Sequence, residues 1–178
     1  MKTFFLTLFL LIFFNEVNAT NVGKVTGFPI PRFVSLKSDL SNLRIGSSKD
    51  FPIKLQYTTS NLPLEIVQEY KDWRKINDFD KNTGWIHESL LDGSRYGIIN
   101  QQYSEPVKIL NKPKGKVVGE IGKKNIVKLK KCLIDWCYIE IDNNKGWILK
   151  INLWGVYEKE TLNIPFYQPI INLLWKFI

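Results

Sequence analysis

The sequence has little of what protein chemistry is usually built from: 178 residues hold one histidine and two cysteines. A structural zinc site takes four ligands. Cys132, Cys137 and the distant His87 fall short of that set, so no metal is expected. A hydrolytic site needs a nucleophile, a base and an orienting group. His87 is the only imidazole, it follows Gly84-Trp85-Ile86 on a predicted strand, and no Gly-x-Ser-x-Gly accompanies it. No glycine loop that would cradle a phosphate is present, and no cofactor is expected. The acids Asp72, Asp78, Asp80 and Glu88 lie in or near turns, where carboxylates are simply solvated, rather than as a pair across a cleft. Arginine is scarce, four residues against 21 lysines, which removes most of the forks suited to bidentate phosphate recognition. These absences lead to a protein that is not an enzyme.

A long apolar run is also missing. Spanning a bilayer takes about 20 apolar residues, and the run Phe4–Phe14 is eleven residues long. Lys2 precedes that run, and Val17-Asn18-Ala19 follows it. A positive charge, a short apolar stretch and small residues at −3 and −1 make the layout of a secretory signal peptide over residues 1–19, cleaved after Ala19. The alternative is an uncleaved anchor. Export implies a periplasmic or secreted protein in an oxidising compartment. There, two cysteines five positions apart read as a disulfide, with free thiols or metal binding as alternatives.

The net charge of +8 is unevenly spread. Residues 34–92 carry eight basic and nine acidic side chains, whereas residues 103–155 carry eleven and five. An anionic partner would meet the second half. After export such a partner is an envelope polymer, a phospholipid head group or an acidic protein, and nucleic acid is not expected. A solvated lysine-rich surface is the plainer alternative.

Internal similarity organises the rest. Leu64-Glu65-Ile66-Val67 leads to Asp72-Trp73, then Lys75-Ile76, then Gly84-Trp85-Ile86. Val127-Lys128-Leu129 leads to Asp135-Trp136, then Tyr138-Ile139, then Gly146-Trp147-Ile148. Nine residues separate Leu64 from Trp73 and Val127 from Trp136. Twelve separate Trp73 from Trp85, and eleven separate Trp136 from Trp147. Each unit alternates short β-rich runs with turn chemistry such as Asp78–Gly84 and Asp142–Gly146. Cys132 ends one predicted strand and Cys137 begins the next. Short strands with large aromatics suit small closed barrels. Such cores are marginal alone, and the short link near Gly93–Tyr103 favours a fixed arrangement of the two.

The stretch Thr26–Asp39, opening with Thr26-Gly27-Phe28-Pro29, and then Asn42-Leu43-Arg44-Ile45-Gly46, resembles the opening of bacterial SH3 domains of the SH3b type. The chain looks most like the exported tandem form of alphaproteobacteria. The Asp-Trp and Gly-Trp-Ile elements, Leu153-Trp154-Gly155-Val156-Tyr157, and Cys132 with Trp136-Cys137 continue that resemblance over residues 26–158. Two departures stand out. Arg44-Ile45-Gly46 is followed by Ser47 rather than proline, and the second unit has no arginine or glycine at Val107–Pro113. The resemblance implies an all-β protein of two small SH3-like β-barrels in tandem behind a signal peptide. Its expected parts are an extended N-terminal lead 20–33, barrel 1 at 34–92, a linker 93–102, barrel 2 at 103–157 and an apolar tail 158–178. It also implies a binding or targeting module for a cell-envelope component, peptidoglycan or a protein. The alternative is an accessory subunit of an envelope assembly docked through its tail.

Tryptophans serve both small cores and binding hot spots. Trp85 and Trp147 are assigned to the cores. Trp73, Trp136, Trp154, Tyr103 and Tyr138 are the candidates to line a ligand groove. Ile170–Ile178 is apolar at seven of nine positions and too short to span a bilayer. It is a candidate for packing on its own barrels or for docking to a membrane surface or partner, with disorder as the remaining alternative.

Overall fold

A computed structural model of the chain describes residues 21–100 and 106–164. The signal peptide with its cleavage after Ala19, the candidate Tyr103 and the segment Ile170–Ile178 lie outside the described residues. The protein is all-β and consists of two seven-stranded sheets of matching topology. The first contains β1 (Arg32–Leu36), β2 (Ser41–Arg44), β3 (Ile53–Tyr57), β4 (Pro63–Tyr70), β5 (Trp73–Asn77), β6 (Thr83–His87) and β7 (Leu91–Asp92). The second contains β8 (Tyr96–Ile99), β9 (Val107–Leu110), β10 (Val117–Ile121), β11 (Ile126–Cys132), β12 (Trp136–Ile141), β13 (Asn144–Leu149) and β14 (Leu153–Trp154). The spatial orders β3-β2-β6-β5-β4-β1-β7 and β10-β9-β13-β12-β11-β8-β14 are the same order read twice.

Alternation along the strands builds each core. In β6, Gly84 and Ile86 face inward, and in β13 Gly146 and Ile148 do so. Leu36, Leu43, Leu64, Ile66, Ile76 and Ile86 form the core of barrel 1. Ile99, Val127, Leu129, Ile139 and Ile148 lie in the core of barrel 2 with the cystine Cys132–Cys137. The assignment of Trp85 and Trp147 to the cores is therefore corrected. Each stands on the outward side between two inward residues and is half-buried. Glycine takes the inward place because a Cβ at Gly84 would run into the Leu43 side chain and the Arg44 carbonyl, and one at Gly146 into Ile109.

One constant offset carries β1, β4 and β5 onto β8, β11 and β12. Phe33 pairs with Glu65 in β1 and β4, as the β8 residue Tyr96 pairs with Lys128 in β11. Glu69 pairs with Arg74, and Cys132 with Cys137. Both copies slip register at the same place, between Ile66 and Gln68 and between Leu129 and Lys131. The offset also moves two boundaries. The expected linker 93–102 holds β8, the first strand of the second sheet, because Ile98 and Ile99 are core residues. The expected extended lead is folded back, with Val22 bridged to Pro29, and its last two residues, Arg32 and Phe33, belong to β1. The cause is the Glu69 carboxylate, which accepts from the Val25 and Thr26 amides at 3.0 and 2.9 Å and from the Thr26 hydroxyl at 2.7 Å.

The barrels share an aromatic contact. Phe33 meets Trp154 edge-on at 5.1 Å and Tyr157 at 4.7 Å. Phe79 reaches Trp154 at 5.9 Å. The Tyr157 hydroxyl donates to Glu65 at 3.0 Å. Gly155, at φ +111°, lies where a Cβ would meet the Tyr96 carbonyl at 2.6 Å and Pro63 at 3.3 Å, so the close approach requires glycine.

Candidate functional site

The β4–β5 turn of barrel 1 and the β2–β3 loop stand side by side. Between them is an open groove of about 670 Å³ lined by Ser48, Lys49, Phe51, Tyr70, Trp73 and His87, among others. Cross-strand pairing sets the aromatics. Tyr70 is opposite Trp73 across the two-residue turn Lys71-Asp72, and Trp73 is opposite His87 in β6. The Trp73 and His87 rings meet at 5.4 Å, almost perpendicular. The imidazole Nδ1 lies 2.8 Å from the Ser89 hydroxyl and caps the 3-10 turn that follows. Its bonds thus go to holding the groove wall.

The opposite wall is the β2–β3 loop. Ser48 donates to Asp50 at 2.8 Å, and Arg44 donates to the Phe51 carbonyl at 2.7 Å. Phe51 lies against Gly46, where a Cβ would collide with its ring at 2.5 Å. Phe51 and Tyr70 remain 45% and 49% exposed. The Lys71 ammonium sits 5.6 Å from the centre of the Tyr70 ring. Beneath the turn, buried Arg74 donates to the carbonyls of Lys71 at 2.7 Å and Trp73 at 3.1 Å and pairs with Glu88. The result is a rigid floor with exposed aromatic faces and a mixed rim of ammonium, carboxylate and hydroxyl groups. Such a surface stacks on flat or ring-shaped ligands and hydrogen-bonds their edges.

The structure disperses the predicted groove residues. Trp73 lines the barrel 1 groove. Trp136 is its half-buried counterpart on barrel 2, opposite Leu149. Tyr138 packs on Trp147 at 5.3 Å on the outward face of β12 and β13. Trp154 is taken up by the contact between the barrels. A single groove lined by these residues is therefore corrected, because the offset that makes Trp73 and Trp136 equivalent also puts them on different barrels. Phe51, Tyr70 and His87 were not foreseen. The signal for Tyr70 was its place directly before Lys71-Asp72-Trp73.

The matching place on barrel 2 differs in character. Ile134, Leu149 and Ile151, exposed at 57%, 41% and 68%, border a cleft of about 600 Å³ floored by Leu153 and Val156. Lys150 turns inward there and donates to the Glu158 and Glu160 carbonyls, and burial lowers its pKa. A third, smaller cleft of about 390 Å³ lies between the barrels. Its Asp78 already accepts from the Tyr57 hydroxyl and from both the amide and side chain of Asn82. Among the described residues no three His, Cys, Asp or Glu side chains gather as a metal set.

A family model described as "Bacterial SH3 domain" matches residues 37–93 and 105–155, one segment for each barrel. Two solved structures resemble the chain at low identity. One is of NlpC2 from Trichomonas vaginalis, at 12% identity over 70% of this chain and 48% of that one, with a TM-score of 0.33. The other is of NlpC1 from the same organism, at 13% identity over 74% and 48%, also with a TM-score of 0.33. The chain spans about half the length of these structures. No curated protein matches it in sequence.

Proposed function

The chain belongs to the bacterial SH3 domain family, and we propose that it is a non-catalytic periplasmic binding module that holds peptidoglycan through the Trp73 groove of barrel 1. The supporting observation is the cluster of exposed Phe51 and Tyr70 with half-buried Trp73 beside Lys49 and Lys71 on a turn pinned by a buried arginine. A glycan carrying short acidic peptides offers ring faces for the aromatics and carboxylates for the lysines. Sugar–aromatic stacking needs walls that do not collapse, and the bonds under Lys71 and Trp73 supply that rigidity.

Co-sedimentation of the chain from Thr20 onward with purified sacculi tests this. Trp73→Ala should lower the retained affinity by roughly tenfold or more, the size of a hot-spot loss, while Trp85→Ala should leave it within about twofold. Absence of retention by the parent chain, or equal retention of a folded Trp73→Ala variant, would sink the reading. A second reading is an accessory subunit of an envelope assembly. It draws on the apolar cleft at Ile134, Leu149 and Ile151, which suits a protein partner better than a glycan. Capture of an envelope protein that is lost in Ile151→Asp, with no binding to sacculi, would favour it.

A further inference from the structure

Barrel 2 carries a surface that holding a wall polymer on barrel 1 does not use. Its β9–β10 hairpin turns through Asn111-Lys112-Pro113-Lys114-Gly115-Lys116. The turn is fixed by three hydrogen bonds: Gly115 amide to Lys112 carbonyl at 2.8 Å, Lys116 amide to the Asn111 side-chain oxygen at 3.0 Å, and Asn111 amide to Lys116 carbonyl at 3.0 Å. Residues 106–119 contain four lysines and no acid. Lys112, Lys114 and Lys116 are exposed, and none forms an ion pair among the described residues.

Immediately beyond the turn the register slips. Val117 is opposite Leu110 and Gly119 is opposite Ile109, which leaves Val118 as the extra residue of a β-bulge. Regular alternation would send one of two adjacent valines inward. The bulge leaves both out, at 51% and 58% exposure, on an edge strand next to the lysines. The hairpin in the same place on barrel 1 slips register in the same way, but its extra residue after Ile53 is Lys54 rather than a second apolar side chain, and its Lys49 stands beside Asp50, so its charges cancel.

We propose that this hairpin docks on an anionic phospholipid surface, with Val117 and Val118 at the level of the acyl-chain boundary and Lys112, Lys114 and Lys116 against the head-group phosphates. Point-charge attraction from lysines suits a diffuse charged surface and needs no bidentate geometry. The paired valines are what a bilayer uses and a soluble polyanion does not. Lysines and a bulge on an edge strand also guard it against pairing with another sheet, but that role does not call for a second valine, Val118, where barrel 1 has Lys54. Contacts this few give weak, reversible binding, and the proposal does not depend on the groove of barrel 1.

The test is flotation of the chain from Thr20 with vesicles of phosphatidylglycerol and phosphatidylcholine, beside phosphatidylcholine alone and soluble polyphosphate. Binding should need the anionic lipid. Val117→Asp with Val118→Asp, and separately Lys112→Glu, Lys114→Glu and Lys116→Glu together, should each weaken it by about tenfold or more. Truncation after Ile164 keeps the comparison free of the apolar tail. Retention of Trp73-dependent binding to sacculi reports that the variants are folded, and if the sacculi assay is silent, unchanged thermal melting does so. Equal vesicle binding by parent and variants would overturn the proposal. So would a charge-only effect with equally tight polyphosphate binding and no response to the valines, and so would self-association of the lysine variant with vesicle binding intact.

Discussion

The two barrels close the same hairpin with different chemistry. In barrel 1 the pair facing each other across β4 and β5 is Glu69 and Arg74, with both side chains buried and 3.8 Å between Nε and Oε1. In barrel 2 the same pair of positions is the cystine Cys132–Cys137. Each clasp also secures a terminal segment. Glu69 holds Val25, Thr26 and Arg32 of the folded lead. Cys132 exchanges two backbone hydrogen bonds with Leu162 at 3.0 Å each. Both barrels thus carry a fastener at this cross-strand position, ionic in one and covalent in the other. What differs is what can undo it.

The sharpest way to break the comparison is Glu69→Leu. It leaves Arg32, the Thr26 hydroxyl and two backbone amides without that acceptor and removes the carboxylate beside Arg74, a loss of about 3–5 kcal/mol for a buried charged partner. Denaturant unfolding should show that loss, and hydrogen exchange should show Val25 and Thr26 unprotected. A loss below about 1 kcal/mol would mean the carboxylate fastens nothing.

Acid should act similarly and selectively. Burial alone would raise the Glu69 pKa. The hydrogen bonds from Thr26, Arg32 and Val25 outweigh it and bring the pKa from an ordinary 4.5 down to about 2. Because the folded value lies below the unfolded one, the stabilisation is complete above about pH 4.5 and disappears as pH falls towards 2. The span corresponds to about 3 kcal/mol. Amide exchange at Val25 and Thr26 should accelerate over that window. The Cys132 and Leu162 amides, bonded backbone to backbone, should not follow.

The smallest effect is expected from the covalent clasp. Cys132→Ala with Cys137→Ala should cost barrel 2 about 2 kcal/mol or less, because so short a loop loses little entropy on closure. A loss as large as that expected for Glu69→Leu would show that the covalent clasp matters to barrel 2 as much as the ionic one does to barrel 1.

The repeat was legible because Asp-Trp and Gly-Trp-Ile mark turn and strand positions that the offset preserves. The two-barrel architecture followed from them, and the disulfide from the spacing of Cys132 and Cys137 in an exported chain. The clasp of barrel 1 was not legible, since a lone Glu69 on an alternating strand looks like any outward acid. Only superposing Glu69 and Arg74 on Cys132 and Cys137 exposes it. β8 was hidden for a related reason: Gly93-Ser94-Arg95 reads as a linker, and the strand after it is only four residues long. Trp85 and Trp147 were misplaced because size was weighed over alternation, which reserves the inward positions for Gly84, Ile86, Gly146 and Ile148. Of the groove, Trp73 was legible. Tyr70 was marked only by its place before Lys71-Asp72-Trp73, and Phe51 not at all, because nothing in the sequence says that the β2–β3 loop and the β4–β5 turn lie side by side.

The contact between the barrels joins two unlike surfaces: the Phe33 and Phe79 side of one and the Trp154 and Tyr157 side of the other. Head-to-tail contacts of that kind build open-ended filaments unless one end is blunted. Asp92 does the blunting. In β7 it takes the place that Trp154 takes in β14, so barrel 1 offers a carboxylate where a further copy would require an indole.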